Sequence, residues 1–431
     1  MNWKIALIIP ILASFVLPAV AEEKIHIYIG GPGENKIPLA LPKTVSNSAA
    51  SKEFYDVLKQ DLELSGWVDV IDSNAYIEPE GIGVRLGDFR FSDWEITNAT
   101  ALAKTKLSIE DNILSTEVWT YDVPGTRKLS GKLFRAKPNK IRTLAHRSAS
   151  EIVYQITGHH VPFNTRFACI GTQTGNKELY IMDFSGENVT RLTKNKSINI
   201  KPSWSPDGRK ITFTSYLQGS PDLYVANLDN KKIRRLSSRR GVNIGASWSP
   251  DSQKIALTLS PQGNSDIYTI DSRTGRKGKR LTRYQGIDTS PAYSPDGRKI
   301  AYVSERSGGA QVYIMNADGT GKKRLTFEGR ENTDPVWSPD GSKIAFVSKR
   351  KNFDVFIINA DGTGGLQQIT KDVGDNEDPS WSPDGNYIAF SSTRTGASHI
   401  WMSTVDGSHQ QQLSKGKGGY TNPSWSPSLD W

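Results

Sequence analysis

Cysteine is nearly absent: the chain of 431 residues carries one, Cys169. A lone thiol forms no internal disulfide, and neither a Cys-x-x-Cys redox pair nor a thiolate-bound zinc site can be built from it. Histidine is scarce too, with six in all (His26, His146, His159, His160, His399 and His409), which leaves few groups for metal binding or acid–base work. The nucleophile elbow, the P-loop and the dinucleotide fingerprint are all missing, as is any apolar run long enough to span a bilayer. Lys and Arg exceed Asp and Glu by 54 to 45, a formal charge of +9, but the excess is spread over too much chain for a nucleic-acid tail. With 36% hydrophobic and 23% charged residues, the composition is that of a folded globular protein, and the length asks for at least two domains.

Residues 1–21 bear on the compartment. Lys4 gives a basic start, Ile5 to Val16 is apolar apart from Pro10 and Ser14, and Ala19-Val20-Ala21 has the small-x-small pattern of a cleavage site. This stretch reads as a secretory signal peptide. The expected mature chain begins near Glu22 and stays soluble in an exported compartment, without a lipid-bearing cysteine.

What the chain does have is repetition. The pentapeptide WSPDG stands at Trp204 to Gly208, and variants begin at Trp248, Tyr293, Trp337, Trp381 and Trp425, with a period of 44 or 45 residues. Each of the first five copies is followed by three short strand patterns, such as Ile211-Thr212-Phe213, Leu223-Tyr224-Val225 and Arg235-Leu236-Ser237. Four strands per repeat of this length is the period of a β-propeller blade. The last copy has room for one strand only. Upstream, Phe167 to Ile170, Leu179 to Ile181 and Arg191 to Thr193 match the second, third and fourth strands of a blade that lacks its first. The C-terminal strand is therefore expected to complete that blade and close a ring of six, which removes the open sheet edges that invite aggregation. The repeated Trp is expected to pack between neighbouring blades, with Asp-Gly making the turn.

Before residue 160 the period is absent. Ser46 to Ser65 reads as a helix with Phe54, Leu58 and Leu62 on one face, and Val68 to Ile71 as a strand. Val118 to Val123 and Lys128 to Phe134 read as a hairpin around Pro124-Gly125. Pro138 opens a second helix that Gly158 ends. The expected organisation is an α/β N-terminal domain (22–160) plus an all-β six-bladed β-propeller (161–431). Charge divides unevenly between them: the first is slightly acidic, and the propeller holds the positive excess.

A polar set recurs just before each repeated aromatic: Asn199 and Lys201, Asn243, Asp288 and Thr289, Asn332 and Asp334, Asn376 and Asp378, Thr421 and Asn422. Equivalent positions around a ring converge on one channel mouth, so this set is the candidate ligand-contacting surface. A second reading stays open, that each Asx side chain closes its own loop on local backbone groups. A third is a carboxylate ring of Asp288, Asp334 and Asp378 around Ca²⁺. None of the six His falls within the loop preceding a WSPDG copy, which disfavours a general base there.

The arrangement as a whole resembles the TolB family, propeller proteins of the Tol-Pal envelope system. The resemblance rests on the signal peptide, the start EEKIHIYIGG, the helix HRSASEIVYQITG, the six WSPDG-type repeats and a terminal WSP. Peptidases and polysaccharide lyases that share WSPDG repeats lack this combination, and the peptidases add a hydrolase domain. The resemblance implies a non-catalytic periplasmic adaptor, monomeric and not membrane-spanning, with no cofactor, metal or nucleic-acid partner. It implies binding of the lipoprotein Pal at the channel mouth, and of TolA through Glu22, Glu23, Lys24, Ile25, His26, Ile27, Tyr28 and Ile29. It further implies support of outer-membrane integrity and of envelope constriction in cell division. Thr289, within DTSPAYSPDG, matches a Thr of the family's Pal-contacting loops. Asn243 lies in the equivalent loop one blade earlier, where Val242 replaces the family's His. From the residues alone, Ile25, Ile27 and Ile29 suit either partner pairing or a first strand. The alternative function is a secreted propeller lyase or hydrolase acting on an acidic polysaccharide, suggested by the basic propeller.

Overall fold

The computed structural model describes residues 31–371 and 373–429. The expected signal peptide and the segment 22–29 lie outside the described residues. Among them, no helix is long and apolar enough to cross a membrane.

The N-terminal unit is a five-stranded mixed sheet in the order β2-β1-β3-β4-β5. Its strands are β1 (Ile37–Ala40), β2 (Val68–Val70), β3 (Ala101–Glu110), β4 (Ile113–Asp122) and β5 (Arg127–Ala136). β1 runs parallel to both β2 and β3, and β3, β4 and β5 form an antiparallel meander. Two helices, α1 (Ser51–Leu64) and α3 (Ile141–Thr157), share one apolar cluster with this sheet, while the short α2 (Ser92–Glu95) brings Trp94 onto Tyr121 in a second cluster. α1 starts five residues later than the apolar pattern suggests. Ser46 and Ser48 accept hydrogen bonds from the backbone N–H of Ser48 and Ala50 (3.0 and 3.2 Å), local turns that compete with the helix. Pro138 opens a 3-10 turn rather than α3 itself, and Gly158, with φ of 77°, ends α3 in the left-handed conformation that lacks a Cβ penalty.

Six four-stranded antiparallel sheets follow, arranged as the blades of a closed ring. Blade one runs from 199 to 237, blade two from 243 to 280, blade three from 288 to 324, blade four from 331 to 368 and blade five from 376 to 412. Blade six joins the chain's ends: its innermost strand Tyr420–Trp425 pairs with Arg166–Gly171, with Tyr420 opposite Gly171 and Trp425 opposite Phe167. Ring closure is thus as expected from the strand count. In the first five copies the motif Ser and Asp make the turn, as where Ser205 Oγ donates to Asp207 Oδ1 (2.5 Å) and accepts from the N–H of Lys210 (2.9 Å). The repeated aromatics tie blade to blade. Trp248 Nε1 donates to Ser203 O, Trp337 Nε1 to Ala292 O and Trp381 Nε1 to Val336 O (3.2, 3.0 and 3.2 Å).

The two units are joined by more than the linker. Their apolar residues form one continuous cluster that includes Leu58, Ile152, Phe163, Tyr387 and Trp425. Tyr387 Oη donates to Ser65 O (2.6 Å), and Arg142 reaches Asp183 (2.8 Å) and Glu187 (3.2 Å) in blade six. Beneath Arg142, His146 Nδ1 lies 2.5 Å from Asp61 Oδ2, both buried. Burial opposes charge on His146, but the Asp61 and Asp183 carboxylates outweigh it and raise its pKa.

Two outcomes follow for stability. Deleting residues 420–431 removes the innermost strand of blade six and uncovers the Phe167 edge, so the variant is expected to lose its single cooperative transition in urea or to aggregate; a melt like that of the intact chain would sink the closure model. A raised His pKa contributes stability that is full below the ordinary value of about 6.5 and is lost as pH rises through the raised one. The Tm of the intact chain is therefore expected to decline as pH rises above about 6.5, and scanning calorimetry on His146→Gln should show that slope flattened.

Candidate functional site

The six innermost strands share one register, read from Asn199-Ile200-Lys201-Pro202-Ser203-Trp204. Its third position holds Lys201, Gly245, Ser290, Asp334, Asp378 and Asn422, and every one of these has positive φ, between 49° and 63°. At the same point the pairing with the second strand slips in every blade. Each innermost strand thus carries a bulge that tips its third residue toward the ring axis. Pro follows in five of the six, which suits an innermost edge where no ladder partner needs the missing N–H. A left-handed backbone costs roughly 1–2 kcal/mol at a residue with a Cβ. Five such residues around one channel make a strained ring that the surrounding blades hold in place.

These residues line a channel cavity of about 270 Å³. Lys201 from blade one reaches across it, with Nζ 2.9 Å from Asp334 Oδ1 in blade four and 2.7 Å from Asp378 Oδ1 in blade five. Burial opposes the ammonium's charge, but the two carboxylates more than offset it and hold the Lys201 pKa well above the ordinary lysine range. Burial also pushes the half-buried Asp378 carboxyl up, yet Lys201, with hydrogen bonds from Asn422 and Ser391, keeps it below the ordinary carboxylate range. The centre of the channel is therefore a hydrogen-bonded ion triad built from three blades.

The candidate set divides by position along the strand. Lys201, Thr289, Asp334, Asp378 and Asn422 line the channel. Asn199, Asn243, Asp288, Asn332 and Asn376, all at the first position, are instead buried. Three of these side chains turn back into the preceding loop: Asn199 Nδ2 donates to Asn195 Oδ1 (3.0 Å), Asn243 Nδ2 to Arg239 O (2.7 Å) and Asn332 Nδ2 to Glu328 O (2.7 Å). Asp288 takes both its bonds from Arg306 Nη2 (3.1 and 3.0 Å), and Asn376 donates to Asp354 (3.1 Å). For the four Asn the loop-closing reading holds, whereas Asp288 is held by the Arg306 guanidinium, and the placement of all five on the mouth is corrected. The carboxylate ring fails for the same reason, since Asp288 is not in the channel and the other two are both engaged by Lys201. Thr421, at the second position, is half-buried and outside the cavity lining. Sequence reasoning missed Gly245 and Ser290; the signal was available as the position three residues before each aromatic.

The loops entering the innermost strands, and those joining each second strand to the third, all lie at the mouth end of the ring. They expose Ile198, Tyr216, Leu217, Ile287, Phe327 and Val373, with Phe327 at 71%. Apolar side chains collected around one opening are unusual on a surface that needs to meet only water. The α/β unit sits at the opposite end, against Tyr387, Asp183 and Glu187, so that none of its described residues covers the mouth. Among the described residues, no group of three or more His, Cys, Asp or Glu is placed to hold a metal ion.

A family model described as the TolB beta propeller domain matches residues 153–429, and one described as the TolB amino-terminal domain matches residues 25–129. The Tol-Pal system protein TolB of Geobacter sulfurreducens is 39% identical over 212 residues, 48% of this chain and 49% of that one. Its namesake in Desulfosudis oleivorans is 38% identical over 201 residues, 45% and 46% of the two chains. The chain spans about half the length of the curated relatives it matches. The crystal structure of TolB from Acinetobacter baumannii superposes with a TM-score of 0.82 at 26% identity, covering 92% of this chain and 98% of that one.

The triad can be tested on its own. Lys201→Met leaves two carboxylates facing each other, and is expected to cost about 1–2 kcal/mol at neutral pH, less than for a sealed ion pair because Lys201 keeps a third of its exposure. A depressed carboxylate pKa stabilises above the ordinary range and loses that contribution as pH falls through the depressed value. The difference between variant and parent in urea titrations is accordingly expected to hold from pH 7 to about pH 4 and to shrink as pH falls further.

Proposed function

The chain belongs to the TolB family, and from that membership we propose that it is a non-catalytic adaptor of the Tol-Pal envelope system. In this reading residues 1–21 direct export to the periplasm and are removed. The channel mouth then binds the lipoprotein Pal, and residues 22–29 engage TolA. Holding both partners, the protein supports outer-membrane integrity and envelope constriction during division.

The observation that carries this reading is the mouth itself. A rim of exposed apolar loop residues surrounds a polar, strained centre, the combination of apolar anchor and desolvated polar contact found where proteins dock on proteins. The triad engages its own cation and carboxylates with one another, which leaves no acid–base pair poised over the cavity. The bulges hold Thr289 and Ser290 at the opening on rigid strands, so a partner segment meets a preorganised surface rather than one it must order.

Calorimetry with the soluble domain of a Pal-type lipoprotein tests the assignment. Thr289→Arg, which fills the opening, and Phe327→Glu, which places charge on the rim, are each expected to weaken binding by about 2 kcal/mol, roughly thirtyfold, with folding intact. Unchanged affinity in both folded variants would move the docking face elsewhere. Removal of residues 22–29 is expected to abolish TolA binding, and full retention would refute that segment's role.

A further inference from the structure

Away from the channel, an open cleft of about 450 Å³ lies between blades six and one. Arg166, Arg191 and Lys231 line it, and among the described residues none of the three takes part in an ion pair. The carboxylate in its wall, Asp183, is engaged by Arg142 at 2.8 Å. Thr190 and Asn227 add a hydroxyl and an amide over the aliphatic Leu192 and Ile233.

The cations continue beyond the cleft. From Lys231 and Ile233 on its rim the chain runs into Arg234, whose Nη2 donates to the backbone carbonyl of Arg273 in the neighbouring turn of blade two (2.6 Å). Arg239 Nη2 likewise reaches Gly275 O in that turn (2.8 Å). The edges of the two blades are thereby in contact, and exposed Lys232, Arg234, Arg273, Arg276 and Lys277 form one track leading out of the cleft. Of the nearby acids, Asp271 is occupied within its own turn by Thr274 (2.7 Å), and Asp229 is exposed. The blade architecture does not require this charge. In blades four and five the equivalent outer strands carry Gln367-Gln368 and Gln411-Gln412.

We propose that the cleft and track bind an acidic glycan, a linear oligosaccharide bearing carboxylates, with one sugar seated in the cleft and the following carboxylates along the track. A line of cations leading from a pocket fits a chain-like polyanion better than a planar one. Among the described residues no aromatic ring lines the cleft, and Tyr268, which lies under Lys277 on the track, is buried, so none is offered to stack a nucleobase or to anchor in a bilayer interface. The cleft's amide, hydroxyl and aliphatic walls match the alternating polar and apolar surfaces of a sugar. The site is separate from the channel, and it stands whether or not the adaptor reading does.

The test uses the chain from residue 22 onward and a short alginate oligosaccharide, followed by calorimetry at low and at near-physiological salt. Expected are binding that weakens as salt rises and a loss of at least tenfold in affinity for Arg191→Glu and for Lys231→Glu, with unchanged Tm. Lys52→Glu, on the exposed face of α1, is expected to bind as the parent does. Three results overturn the proposal: no binding at low salt, variants that bind like the parent, or tighter binding of oligothymidylate or phosphatidylglycerol vesicles than of the oligosaccharide.

Discussion

Closure of the ring through the chain's two ends is the constraint on which the other features depend. Trp425 sits at the junction. It lies opposite Phe167 in the sixth blade with ring centroids 4.5 Å apart, packs near Phe184 and Tyr387, and donates through Nε1 to Thr165 Oγ1 (2.8 Å). The same residue belongs to the apolar cluster that α1 and α3 share with the propeller. Sealing the ring and seating the α/β unit are therefore one packing event, and the loss of either exposes the other's core.

Within the closed ring the six innermost strands have no lateral partner on the axial side. That freedom permits a bulge in each, with a left-handed residue and a proline that an interior strand would not tolerate. The strain is balanced by bonds that cross the opening. Lys201 spans to two carboxylates on the far side of the channel, and Ser391 Oγ donates to Asp378 while accepting from the N–H of Asn422 (3.1 and 3.0 Å). A polar centre held this rigidly, rimmed at the mouth by exposed apolar loop residues such as Ile198, Ile287 and Phe327, gives the propeller a direction: among the described residues one end is uncovered, and the other is covered over blades five and six by the α/β unit.

The architecture was largely legible because a propeller writes its period into the chain. The WSPDG copies, the Asp-Gly turns and the stranded Trp425 led to six blades and to the pairing of residues 420–428 with 166–171, of which the strand Tyr420–Trp425 forms. The N-terminal unit was less legible. β1 is a short parallel strand without alternation, and β3 carries Lys104, a residue that reads as solvent-facing yet lies buried against Glu78. Two elements of the sheet were missed for those reasons. The candidate site was legible in its location but not in its phase, because a strand's side chains alternate and the bulge resets that alternation within three residues.

By itself, then, the sequence determined the repeat, the blade count, the closure and the loop-closing role available to each Asn before the repeated aromatic, since these follow from local propensity and from counting strands. Tertiary structure alone decided which polar residues meet. Lys201, Asp334 and Asp378 are more than forty residues apart along the chain and come together only across the finished ring, while Asp288, in the same recurring segment, turns away to Arg306. The physical reason is that contact across a closed ring depends on the relative rotation of blades and on the backbone sign of φ at a single position. Neither quantity is carried by residue type.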